Sequence, residues 1–112
     1  MFVTSRDAIA AALSDVDGVT GHRTRPTTLI PGNAWPRLAS IDHGPGGAFS
    51  ATWHVVVVMH GDEAVAAEQL DALLPALVEA LGPVLYVDQA APVQLDTEVG
   101  KVLAVQLTGR SE

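Results

Sequence analysis

The sequence predicts an α+β domain in which two helices pack on one face of a mostly antiparallel sheet, in the order α-β-β-β-α-β-β. Four consecutive valines near the centre of the chain predict a central strand, because residues branched at Cβ favour the pleated backbone. A long helical pattern follows after one glycine. Strand patterns joined by short turns on either side of that helix favour an antiparallel sheet whose helices share one face.

The composition indicates a single domain over residues 1–112 and argues against several classes of function. Hydrophobic residues make up 48% of the chain and aromatic residues only 4%, so an aliphatic core is expected. The formal net charge of −7 opposes broad binding to nucleic acid or to an anionic membrane. The chain has no cysteine, and no apolar run is long enough to span a bilayer. A protein of the cytoplasm, or of an assembly formed there, is expected.

The N-terminal segment predicts a short amphipathic helix. Thr4 and Asp7 form a capping-box pattern, which predicts that the helix starts at Thr4. Gly18 is expected to end the helix in a left-handed conformation. The predicted apolar stripe has the spacing i, i+3, i+4 and i+7 and consists of Ile9, Ala12, Leu13 and Val16.

Two strands are predicted between this helix and the central strand. Residues 19–25 alternate in polarity, so Arg23 and Arg25 are expected to project from the same side of the first of them. Residues 34–42 predict the second, and Pro36 indicates an edge or strand-start position because proline cannot donate to a ladder. The predicted faces of this second strand are Trp35, Ala39 and Ile41 on one side and Leu38 on the other.

The glycine-rich residues 43–50 then predict a mobile hairpin loop that leads into the central strand, residues 53–59. One face of that strand is apolar and consists of Trp53, Val55, Val57 and Met59. The other face consists of Thr52, His54, Val56, Val58 and His60. Residues 62–81 predict a helix that covers the apolar face, with Asp62 at its N-terminal cap and a stop at Gly82. Its predicted stripe consists of Val65, Ala66, Leu70, Leu73, Leu74, Leu77, Val78 and Leu81.

The last third of the chain predicts a closing hairpin. Residues 84–88 and 92–96 indicate either two strands or one long strand bent at a bulge, and the bent strand is preferred. A turn at residues 97–100 leads into a final strand at residues 101–108, which alternates apolar side chains between its two faces.

No residue pattern predicts a catalytic, metal-binding or cofactor-binding site, and an enzyme is not expected. His54 and His60 share a strand face, but six residues at about 3.3 Å each separate them by about 20 Å, so one ion cannot bind both. The glycines of residues 43–50 join two strands, which favours a hairpin tip over a phosphate-binding loop. No serine lies in a G-x-S-x-G motif.

Arg23, Arg25 and Arg37 are half of the six basic residues and lie in the first third of the chain. Such a group is either a solvated face or a basic patch that meets an acidic patch on the next copy of the same protein, as a head-to-tail ring requires. Trp35 either closes the end of the core or lies at an interface, where large amphipathic rings are enriched.

Three stretches of the sequence resemble one protein family. They are the opening helix TSRDAIAAAL, the VVVV strand that leads into a helix ending LPALVEALG, and the closing APVQLDTEVGKVLAVQLTG. With this order of elements, the chain resembles the tail terminator proteins of long-tailed bacteriophages (siphoviruses), also called tail completion or tail-to-head joining proteins. Head–tail adaptors, stoppers and other minor tail proteins share a similar size and order, so these positions in the connector remain the alternative.

The resemblance implies a structural role in the virion, at the head–tail junction, with assembly in the host cytoplasm. It implies a homohexameric ring that caps the tail tube, stops its polymerisation and joins the tail to the head. The implied partners are further copies of the chain, the major tail tube protein and the head–tail connector protein. Double-stranded DNA would pass through the ring without specific binding, and no cofactor is expected.

Contacts with other subunits or partners are expected in the loop at residues 27–35, in the glycine loop 43–50 and in the turn 97–100. The candidate interface residues are Arg23, Arg25, Trp35, Arg37, Phe49 and Glu98. A different class of protein, a small ligand-binding or enzymatic α/β domain, predicts instead a concave pocket near His54.

Overall fold

The computed structural model describes residues 2–47, 49–98 and 100–111, which form two helices and a five-stranded sheet. This confirms the predicted α+β class and the order α-β-β-β-α-β-β. The elements are α1 (Phe2–Ser14), β1 (Thr20–Gly21), β2 (Asn33–His43), β3 (Phe49–Val58), α2 (Glu63–Leu81), β4 (Tyr86–Thr97) and β5 (Gly100–Ser111). The strands lie in the order β1-β2-β3-β5-β4, and all described pairs except β1–β2 are antiparallel.

Both helices pack on the same face of the sheet, as predicted. The main core joins α1 and α2 to alternate residues of β3 and β5, because side chains of one strand face recur at every second position. Its largest buried side chains are Ile9, Leu13, Trp53, Val55, Val57, Leu77, Leu81, Val105 and Leu107. Neither helix in the described ranges has the length and apolar character that crossing a bilayer would require.

The apolar stripe of α2 is narrower than predicted. Val65 and Val78 are exposed by 44% and 43%, although both were expected to face the core. At about 100° of rotation per residue, both positions lie about 100° or more from the direction of Leu77, which is fully buried. The predicted cap is confirmed, since Oδ1 of Asp62 accepts hydrogen bonds from the amides of Ala64 and Val65.

Helix α1 starts before the predicted position. It begins at Phe2, so the prediction that Thr4 caps the helix is wrong, and the side chain of Thr4 lies outside the described part of the chain. The helix ends at Ser14, and Gly18 adopts a positive φ of 82° in the turn that follows. The predicted stripe is confirmed, because Ile9 and Leu13 are fully buried.

Strand β1 is two residues long instead of seven, and the proline in β2 explains why. The amide of His22 donates to the carbonyl of Ala34, and in a parallel ladder the next bond would need the amide of residue 36. Pro36 has no such amide. The guanidinium of Arg6 lies at this edge instead, where Nη1 donates to the carbonyls of Arg23 and Pro36 at 3.0 Å each. β2 is not the edge strand of the sheet, but Pro36 lies near its start and past the last residue paired with β1. Of the predicted edge or strand-start position, the structure therefore supports the strand start.

A bulge in β2 changes the predicted faces of that strand. The register with β3 shifts between Leu38 and Ser40, so two residues of β2 oppose one of β3. Trp35 lies opposite Val56, whereas Ile41 lies opposite Ala51, which belongs to the other face of β3. The prediction that Trp35 and Ile41 share a face is therefore wrong, because alternation does not continue across a bulge.

Strands β2 and β3 form a hairpin whose outer end, residues 41–51, projects as an arm. The predicted hairpin connection is confirmed, although its loop is shorter than predicted and Ala48 lies outside the described residues. At the base of the arm Ile41 pairs with Ala51, which also pairs with Ser111 of β5. The two further pairs, Asp42 with Ser50 and His43 with Phe49, have no third strand beside them in the described chain. The molecule is accordingly elongated, with extents of 47 × 29 × 20 Å. The preferred bent strand is also confirmed: β4 is continuous and has a register shift between Val87 and Gln89.

Candidate functional site: a basic groove on the open face of the sheet

The face of the sheet opposite the helices carries a second apolar cluster. Its buried members are Trp35, Val56, Val58 and Ala104, and Leu29, Val93, Leu95 and Val102 pack around them. This second cluster was not predicted, although the unbroken valine run signals it, since a strand that is apolar on both faces is typically covered on both. Here the loop at residues 22–32 and the bent strand β4 supply the cover, because they contribute Leu29, Val93 and Leu95.

A groove of about 550 Å³ lies between that loop and β4, and we name it the basic groove. Its polar lining includes three arginines, Arg6, Arg25 and Arg37, and no carboxylate among the residues that the structure describes. The apolar lining consists of Trp35, Pro36, Leu38, Val56, Val93 and Leu95. A guanidinium beside apolar walls is favourably placed to bind an anion, since it carries five donors in a rigid fork.

The loop at residues 22–32 brings Arg25 over the buried indole of Trp35. The guanidinium carbon lies 5.9 Å from the ring centroid, within the range of a cation–π contact. Nη2 of Arg25 also donates to the backbone carbonyl of Asp96 at 3.4 Å, across the groove from β4. Trp35 is only 4% exposed, so the structure supports its interpretation as a core residue over that as an interface residue. Arg25 is the exposed member of this pair.

Arg37 of β2 lies opposite His54 of β3 on the same open face. Nη2 of Arg37 donates to Nδ1 of His54 at 2.6 Å. Partial burial, followed by the charge of Arg37, lowers the pKa of His54 below its usual value of 6.5. The imidazole is therefore held neutral as an acceptor, and the remaining N–H groups of Arg37 stay available at the groove.

We expect this contact to make part of the protein's stability depend on pH. Because the folded chain binds the His54 proton less tightly than the unfolded chain, the contribution is fully present above about pH 6.5 and is lost as the pH falls through the folded pKa. As the pH is lowered from about 7 to about 5, the melting temperature of the variant His54→Gln should therefore fall less than that of the wild type. Equal falls in the variant and the wild type would contradict the assignment.

The structure gathers three of the six candidate interface residues and separates the others. Arg25, Trp35 and Arg37 lie together at the basic groove. The prediction that Arg23 and Arg25 project from the same side is wrong, because the chain leaves the sheet after β1 and Arg23 forms an ion pair with Asp7 of α1.

Phe49 and Glu98 lie at separate places. Phe49 is 48% exposed on the hairpin arm, where its ring stacks on that of His43 with centroids 4.7 Å apart. Glu98 lies at the β4–β5 turn and lines a neighbouring depression together with Arg25 and Leu29. The expected contact loops at residues 27–35 and 97–100 therefore meet at one end of the groove, and the glycine loop does not.

The three groove arginines differ from the other basic residues in their partners. Each of the other three forms an ion pair with a carboxylate, namely Arg23 with Asp7, Lys101 with Asp96 and Arg110 with Asp88. Within the described ranges, Arg6, Arg25 and Arg37 form none and contact backbone carbonyls or His54 instead. The unneutralised positive charge of this acidic protein is thus concentrated at one groove.

Arg6 is the groove residue that sequence analysis missed. Its guanidinium carbon lies 5.3 Å from the ring centroid of Trp53, and the side chain reaches from α1 to the edge of β2. Nothing in the local pattern of α1 marks it, because its partners are 17 and 30 residues away in the chain.

The basic groove can bind and orient an anionic group, and the described residues bring no recognisable set of metal ligands together. No group of three His, Asp or Glu side chains there is spaced to hold a metal ion. Nδ1 of His60 accepts a hydrogen bond from the amide of Asp62. No known protein-family model matches the chain, and no curated protein matches its sequence.

Proposed function

We propose that the chain is a structural protein of a bacteriophage virion, which forms a homohexameric ring that caps the tail tube and joins the tail to the head. In this role it stops polymerisation of the major tail tube protein and offers a surface to the head–tail connector. The proposal rests on the three resembling stretches of sequence together with the fold, whose element order is the one that the resemblance implies.

The observation that carries the proposal is the hairpin arm, residues 41–51. Past its first pair, Ile41 with Ala51, no third strand in the described chain pairs with the arm. Ile41 at its base and Phe49 near its tip are both about half exposed. An isolated two-stranded hairpin is only marginally stable in water, so a projecting arm with apolar side chains is best explained by a neighbouring subunit that covers it. The net charge of −7 further supports a ring through which DNA passes without binding.

The proposal is tested by removing the apolar groups of the arm. We expect the wild type to form hexamers, alone or with tail tube protein, and to limit the length of tubes assembled in vitro. The double variant Ile41→Ser/Phe49→Ser should remain folded, because both side chains are already exposed, but should form fewer hexamers and leave tubes longer. Native mass spectrometry and electron microscopy of tubes provide the two measurements.

The matched control is Val65→Ser, because Val65 is 44% exposed, about as much as Ile41 and Phe49, but lies on α2, outside the arm. This control should assemble as the wild type does. A wild-type chain that neither forms rings nor changes tube length would refute the proposed function. Binding to a connector protein but not to tube ends would place the chain at the alternative adaptor or stopper position.

The basic groove favours one candidate function of another class, the binding of a small anionic ligand. The groove is close to the position at which this function predicts a pocket, because its lining residue Arg37 contacts His54. A thermal-shift assay with a panel of carboxylates and phosphates separates the ligand-binding function from the structural one. A ligand that binds only the folded state raises the melting temperature. Stabilisation of a monomer by one such compound would favour this second function.

A further inference from the structure

The layer of helices carries a charge pattern opposite to that of the basic groove. A depression of about 700 Å³ lies between the C-terminal ends of α1 and α2, and its only charged lining residues in the described chain are Asp15, Asp17 and Glu79. We name these three residues the acidic patch. All three are exposed, and none forms an ion pair with a described residue.

The acidic patch is not explained by the needs of the helices themselves. The C-terminal end of a helix carries a partial negative charge, so basic residues are favourable there and acidic residues are not. Neither α1 nor α2 has a basic residue in its last turn, and α2 has no lysine or arginine at all. Two helix ends and three carboxylates therefore add their negative potentials at one place.

The basic groove and the acidic patch lie on different layers of the molecule. Arg25 and Arg37 lie on the face of the sheet that no described helix covers, whereas Arg6 reaches the groove from α1. The patch lies in the layer of helices. One copy cannot bring its own groove and patch together, whereas two copies in a front-to-back arrangement can. A contact between two different surfaces of identical chains propagates, and it forms a ring when the rotation closes.

We propose that the basic groove of one copy binds the acidic patch of the next copy of the same chain. Arg25 and Arg37 are the groove residues that make the contact, because each is exposed and has free N–H donors for a carboxylate. Arg6 has a positioning role, since its guanidinium is held by two backbone carbonyls. Ala76 and Pro83, which line the same depression, supply an apolar contact beside the charges.

This inference rests on the proposed function for its biological setting, because a ring needs one surface that binds a different surface of the next subunit. Its chemistry concerns only the chain itself and can be tested in solution. The association should weaken as the salt concentration rises, since exposed charge pairs are screened.

The test uses two charge-reversed variants, and copies of either variant alone should not bind one another. The groove variant is Arg25→Glu/Arg37→Glu, and the patch variant is Asp15→Arg/Glu79→Arg. The patch variant places basic residues at the C-terminal ends of helices, where they are favourable, so it should fold. In each variant alone, groove and patch carry like charges, and association should weaken roughly tenfold or more.

An equimolar mixture of the two variants should restore assembly, because each groove then meets a patch of opposite charge. Sedimentation velocity should show the wild-type assembly in the mixture and mainly monomers in each variant alone. Wild-type assembly by both variants alone would overturn the inference. A mixture that stays monomeric although both variants melt as the wild type does would also overturn it, as would a wild type that is monomeric at millimolar concentration.

Neutral variants keep the test decisive if a charge-reversed chain fails to fold. Arg25→Gln/Arg37→Gln retains a normal patch, and Asp15→Asn/Glu79→Gln retains a normal groove, so their mixture should stop at one-to-one dimers. Larger assemblies in that mixture would contradict the pairing. A wild type that assembles through these surfaces but does not limit tube length would refute the proposed function alone. Tube capping by rings of both reversed variants would refute the inference alone.

Discussion

Replacing Val57 with aspartate is expected to abolish soluble folding. Val57 is fully buried at the centre of the sheet, where it lies opposite Ala34 of β2 and Val105 of β5. The substitution removes about 1.5–3 kcal/mol of apolar burial and adds an unpaired buried carboxylate, which costs several kcal/mol more. Together these losses are comparable to the whole stability of a typical domain, about 5–15 kcal/mol.

The soluble fraction after expression and the far-UV circular dichroism spectrum measure this outcome. Val65→Asp provides the matched control, because Val65 is 44% exposed in the first turn of α2, where a negative charge is favourable. The control should differ from the wild type by no more than about 0.5 kcal/mol. A soluble, cooperatively unfolding Val57→Asp protein would mean that the helix-covered face of β3 is assigned wrongly.

Replacing Gly21 with alanine is expected to destabilise the domain by about 1–3 kcal/mol, because it overpacks a close contact. A Cβ atom at this position would overlap the backbone carbonyl oxygen of Ala10 and lie 2.9 Å from Oγ of Ser14. Backbone atoms of a helix cannot rotate out of the way, so α1 would have to move off β1. The amide of Gly21 also donates to Oγ of Ser14 at 3.1 Å, and such a movement would break this bond.

Urea denaturation of the two proteins measures the difference in unfolding free energy. Gly61→Ala is the control, since nothing lies within 4 Å of a Cβ atom built there. Gly61 precedes α2 and has no positive φ, so the substitution meets neither a clash nor backbone strain. If Gly21→Ala were as stable as this control, the close packing of α1 against β1 would not exist in solution.

The glycine also shows why β1 was predicted poorly. From the sequence, Gly21 only weakens an alternating pattern, whereas in the structure it provides the space in which α1 crosses the strand. The length of β1 depends on Pro36 in another strand and on Arg6 in a helix, both more than ten residues away. A local pattern has no information about such partners.

The sequence by itself determined the elements whose signals are local and repeated. The valine run, the helical spacing of residues 62–81, the Asp62 cap and the alternation of β5 each depend on neighbours within a few positions, so they specify strand and helix directly. They also specify the buried face, except at Val65 and Val78. The bent β4 strand was predicted for the same reason.

Only the tertiary structure decided which charged residues share a surface. Arg6, Arg25 and Arg37 come from a helix, a loop and a strand, and the acidic patch joins the ends of two helices that are far apart in the chain. The bulge in β2 and the early end of β1 set these positions, and neither has a local sequence signal. The physical reason is that side-chain direction within an element follows its backbone period, whereas the meeting of two elements depends on the packing of the whole core.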